Sequence, residues 1–80
     1  MSRSNPMHHS VQRIVDAEIN FVGTKHKGFV HYETDDGLPQ IIAFEFWGTR
    51  LAIPALSFDS AIIDQMLAAA IEHEAELGSA

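Results

Sequence analysis

The chain of 80 residues contains no cysteine. Disulfides and thiolate metal ligands are therefore excluded, and nothing points to an oxidising compartment. Basic residues are scarce as well: five Lys and Arg stand against eleven Asp and Glu, a formal charge of −6. A phosphate backbone is recognised by clustered positive charge, so direct nucleic-acid binding is not expected. Long apolar runs are also missing. The longest, Met66 to Ile71 ("MLAAAI"), falls far short of a membrane span, and the opening "MSRSNPMHHS" lacks the apolar region of a secretory signal. A soluble, cytoplasmic protein without membrane contact is expected. A chain this short makes one small core, near the size at which many folds need a staple or a partner.

What is present reads as a loosely ordered N-terminus over residues 1–10 and a single α+β domain over residues 11–78. Val15, Ala17, Ile19 and Phe21 alternate with Asp16, Glu18 and Asn20, the period of a half-buried strand, although Val11, Ile14, Val15, Ile19 and Val22 also fit helical spacing. A second strand, "FVHYET" from Phe29, is rich in aromatic and β-branched residues and runs into the turn signal "DDG". Its loop is expected to place a type I turn over Asp35 and Asp36 with Gly37 left-handed. The return strand runs from Gln40 to Trp47, with Pro39 at its start. Gly48-Thr49 has the composition of a type II′ hairpin turn, which sets Trp47 opposite Arg50, Phe46 opposite Leu51 and Phe44 opposite Ile53. A tip "TKHK" between Gly23 and Gly28 would set Phe21 opposite Val30 and Ile19 opposite Tyr32, at the expense of facing Glu18 with Glu33. A helix capped by Ser57, Asp59 or Ser60 carries Ile62, Ile63, Met66, Leu67, Ala70 and Ile71, with Gly78 as its stop. The expected fold is an antiparallel β-meander of about four strands with one C-terminal α-helix packed on one face. Its expected core is Ile19, Phe21, Val30, Tyr32, Ile42, Phe44, Phe46, Leu51 and Ile53.

Chemistry-bearing motifs are few. Gly23 to Gly28 has the glycine spacing of a phosphate-binding loop, but Phe29 stands where that loop needs lysine. Lys25-His26-Lys27 reads as a solvated basic turn. His31 and Glu33 share a strand face with Glu18 and Glu45, yet nothing fixes metal geometry there, and no serine sits in a catalytic elbow. An acid/base role for His31 and Glu33 is the catalytic alternative, against the plainer reading of a polar outward face. His73, among Glu72, Glu74 and Glu76, reads as exposed. No cofactor and no metal site is expected.

Two features stand out. The strand Ile41 to Trp47 is apolar on both faces, and one helix covers one face. Ile41, Ala43 and Trp47 are expected outward with Phe29, Val22 and Ala52 near them, interrupted by His31, Glu45 and Arg50, the composition of a protein interface. The plainer readings are a covering N-terminal segment or Arg50 lying on Trp47. On the helix, Leu67 and Ile71 widen the apolar arc, and Glu72, Glu74 and Glu76 crowd an end where the helix dipole disfavours negative charge. They form a candidate acidic surface for a basic protein partner. These features point to a non-catalytic protein-binding module, a regulator, adaptor or inhibitor, that forms a homo-oligomer, with a dimer favoured. In size and charge it resembles the small inhibitors that phages make against bacterial defence systems. The alternative is a small-ligand or metal-binding domain centred on His31, Glu33, Trp47 and Arg50.

Overall fold

The computed structural model describes residues 10–35 and 38–78. Its elements are β1 (Val11–Phe21), β2 (Thr24–Asp35), β3 (Leu38–Phe46), β4 (Ala52–Pro54), a 3₁₀ turn (Ala55–Ser57) and α1 (Ser60–Gly78). The strands form one antiparallel sheet in the order β1-β2-β3-β4, and α1 packs across one face, the expected α+β architecture. The strand period prevails over the helical one from Val11 to Phe21. From Arg13 to Phe21 the odd-numbered residues turn toward α1, while the even-numbered ones stay exposed.

The first hairpin corrects the expected register. The turn is Val22-Gly23, with φ of +54° and +74°, so Phe21 pairs with Thr24, Ile19 with His26 and Val15 with Val30. Two successive left-handed residues follow the right-handed strand twist and close a two-residue hairpin, which is what the longer "TKHK" tip lacked. Glu18 consequently faces Lys27 and not Glu33, which removes the like-charge conflict. His26 is not in a solvated tip. It turns inward, with ring centroids 5.9 Å from Phe21 and 5.4 Å from Phe46.

Between β2 and β3, Asp35 pairs with Leu38, and loop residues 36 and 37 of the expected turn lie outside the described residues. Farther along, His31 faces Ala43 but Tyr32 faces Ile41, so Ile42 is an extra residue, a β-bulge. The bulge reverses two expectations. Ile41 packs against the core, and Ile42 is the exposed one.

The β3–β4 register is as expected at Phe44–Ile53, but pairing ends at Glu45–Ala52. The connection is not a type II′ turn. Thr49 N–H donates to the Phe46 carbonyl at 3.1 Å with Gly48 in the third position at φ +81°, the requirement of a type II turn. Arg50 follows at φ +60°, and Leu51 is exposed and outside the core. Trp47 therefore is not paired across from Arg50. Its N–H donates to the Lys27 carbonyl at 2.9 Å and continues β3 beside β2.

The core joins Ile19, Val30, Tyr32 and Phe44 of the sheet to Ile62, Met66 and Ala70 of α1, with Phe21, Phe46 and Phe58 packed around them. Gly28 makes room for this packing. A Cβ there would stand 2.5 Å from the tip of the Phe44 ring and would also strike the Glu45 carbonyl oxygen. Asp59 caps α1, its carboxylate accepting the Ile62 N–H at 3.1 Å.

Candidate functional site

Because α1 covers one side of the sheet, the other side is built from the alternate residues of each strand. The pairing arranges them in rows: Glu18 and Lys27 with Trp47 beside them, then Asp16, Phe29, Glu45 and Ala52, then Ile14, His31, Ala43 and Pro54, then Gln12, Glu33 and Gln40. No described element lies over this face. Trp47 is 69 % exposed and Ile14 57 % exposed. Phe29 is half-buried, its ring 5.7 Å from that of Trp47 and tilted by 30°. An open depression of about 520 Å³ lies beside this pair, lined by Asp16, Glu18 and Lys27 among others. Ala43 is buried in the next rows, where the His31 imidazole reaches Glu45. His31 Nε2 stands 3.1 Å from Glu45 Oε1, and since a carboxylate only accepts, Nε2 carries the proton.

Of the residues expected at an interface, Phe29, His31, Ala43, Glu45 and Trp47 come together on this face. Ile41 does not, for the bulge turns it inward. Arg50 lies beyond the turn, and Val22 sits at the far hairpin tip. Leu67 and Ile71 belong to α1, on the opposite side of the sheet, so they cannot share one surface with Trp47. Glu18 pairs with Lys27 and stands away from the His31 row. Among the described residues no three His, Asp or Glu side chains converge as metal ligands would. Ile14 was not among the expected interface residues. Side-chain parity carried upstream from Asp16 puts it on the outer face, but the apolar alternation breaks at Arg13 and Ile14, so the local pattern did not mark it.

A second polar cluster lies between sheet and helix. Glu74 does not project to solvent with Glu72 and Glu76. It faces inward, with Oε2 2.6 Å from Arg13 Nε and 2.6 Å from the Tyr32 hydroxyl, which donates to it. The Arg13 Nε–H lies off the hydrogen-bond line, so the pair is held by charge and not by a directed bond. His73 also turns inward, 2.8 Å from the Tyr32 oxygen. With the hydroxyl proton committed to Glu74, His73 Nδ1 must be the donor. Burial, then the hydrogen bond to Glu74, then its charge push the Tyr32 pKa up from 10.0 to about 12, against a smaller opposing pull from Arg13. This cluster pins the end of α1 to β1 and β2. The expected acidic surface is thereby reduced to Glu72 and Glu76.

No family model, curated protein or solved structure matches the chain. Among the described residues no helix is long and apolar enough to cross a membrane.

Proposed function

We propose that the protein is a small acidic, non-catalytic protein-binding module, a regulator, adaptor or inhibitor, that engages its partner through the outer face of the sheet. One observation supports this reading: the Phe29–Trp47 pair and Ile14 lie on a face that no described element covers, bordered by Asp16, Glu18, Lys27 and Glu45. Aromatic anchors inside a charged rim are the composition of binding hot spots. Burying such side chains against a partner gains about 25 cal/mol for each Å² removed from water, a gain that α1 on the other side cannot supply.

The alternative site at His31, Glu33, Trp47 and Arg50 finds less support. Trp47 stands level with Lys27, and Glu33 lies six residues farther along β2, about 20 Å away at the strand rise. A ligand of ordinary size would not touch both.

The test is affinity capture from lysate of cells that express the chain, using wild type, Trp47→Ala and Ile14→Asp as parallel baits. Proteins held by wild type and lost from both variants are the expected result. Equal retention by all three baits would remove the outer face from consideration.

A further inference from the structure

We infer that the outer face is self-complementary and receives a second copy of this chain, stacked face to face with the strands antiparallel and Lys27 of each copy over Glu33 of the other. This rests on the outer face being the binding surface, and it commits to the occupant. The motivation is the outward row of β2, which reads Lys25, Lys27, Phe29, His31, Glu33, Asp35. Positive charge occupies one end, negative charge the other, and rings the middle. Among the described residues neither Lys27 nor Glu33 is in an ion pair within its own chain, in contrast to Arg13 with Glu74, although Glu18 stands across from Lys27 in the strand pairing.

Two sheets stacked face to face by a two-fold rotation have the axis in the plane between them. An axis along β2 would put Lys27 on Lys27 and Glu33 on Glu33, and would set Asp16 of β1 against Glu45 of β3, since both flank Phe29. An axis across the strands at the Phe29 row would bring Asp16 onto Asp16 and Glu45 onto Glu45. An axis across the strands between the Phe29 and His31 rows leaves no such conflict. It sets Lys27 over Glu33 twice, Phe29 over His31, Glu45 over Ala43 and Asp16 over Ile14. Aligned sheets pack about 10 Å apart and cross at about 30°. Lys27 and Glu33 each lie three residues from the axis, about 10 Å along the strand, so the crossing displaces them by about 5 Å, within a lysine's reach.

Charge reversal decides the matter. In Lys27→Glu alone, both inter-copy contacts become acid on acid, and in Glu33→Lys alone both become base on base. Each variant should raise the dissociation constant at least tenfold, measured by light scattering over a micromolar to millimolar concentration series. Mixed one to one, the two variants should form a heterodimer about as tight as the wild-type dimer, because both contacts are again opposite in sign. A mixture no tighter than the separate variants would overturn the arrangement, and that recovery also shows that both variants are folded. Wild type that stays monomeric throughout overturns the second copy as occupant, while the capture experiment still judges the face. A dimer broken by Trp47→Ala but indifferent to both reversals keeps the face and overturns the register. A dimer indifferent to Trp47→Ala as well removes the face itself.

Discussion

Val22 holds a backbone conformation that β-branched residues rarely adopt, φ +54°, and it does so with its side chain 84 % exposed at a hairpin tip. The left-handed region crowds Cβ against the following carbonyl and costs about 1–2 kcal/mol for an ordinary residue. Nothing in the packing around Val22 offsets this, because so little of the side chain is buried. The hairpin tolerates it because Gly23 supplies the second left-handed residue and the strands on either side pair in full. Asparagine enters the left-handed region far more readily, and Asn-Gly is the preferred pair for this turn. Val22→Asn should therefore stabilise the protein by about 1 kcal/mol, visible as a higher midpoint in chemical denaturation. A lower midpoint would mean that Val22 makes a contact worth more than its strain.

At the scale of elements, the helix end offers the sharpest contrast between neighbouring residues. Glu72, Glu74 and Glu76 look alike in the sequence, three acids where the dipole of α1 disfavours them. The fold separates them: Glu74 meets Arg13 and Tyr32, whereas Glu72 and Glu76 are exposed. Glu74→Gln should cost about 1–3 kcal/mol, since it leaves the Arg13 charge without its counterpart and weakens the Tyr32 hydrogen bond. Glu72→Gln and Glu76→Gln should hold stability or raise it slightly. Equal effects from all three in denaturation would dissolve the distinction. Glu74 was illegible because its partner Arg13 lies near the opposite end of the chain, and local pattern carries no information on that pairing. The β3–β4 register was legible at Phe44–Ile53, but not the turn itself: Gly48 serves as the third residue of a type II turn, and the expected Trp47–Arg50 and Phe46–Leu51 pairs do not form. The β1–β2 register was not legible, because two glycines bracket "TKHK" and the longer loop kept the same apolar faces, shifting pairs by an even number of residues. The clash of Glu18 with Glu33 in that register was the available warning. The bulge at Ile42 had none, since exchanging Ile41 for Ile42 leaves the apolar pattern unchanged.

On the scale of the whole molecule, the two sides of the sheet have different work: the outer side carries the proposed contact, and the inner side holds the layers together. Tyr32 reports on the inner side, because it is fully buried between sheet and helix and is the one tyrosine of the chain. Its hydroxyl is held by Glu74 and His73 at the junction of sheet and helix, so docking of α1 disfavours its ionisation. The folded state raises its pKa from 10.0 to about 12, which means that the folded state retains the proton more tightly than the unfolded one. Between those values the folded chain binds more protons than the unfolded chain, and stability must fall as pH rises. Below pH 10 the contribution is complete; it is lost progressively as pH climbs from about 10 toward 12. Denaturation midpoints should accordingly drop across that window, and the phenolate absorbance, which can come from no other residue, should rise in the folded chain near pH 12 and not near pH 10. In Tyr32→Phe the window should lose this component of its slope, although the variant starts from lower stability because Glu74 and His73 lose their shared partner. Phenolate appearing near pH 10 in a chain that remains fully folded would show that Tyr32 reaches solvent, and that the end of α1 is not docked on β1 and β2 as described.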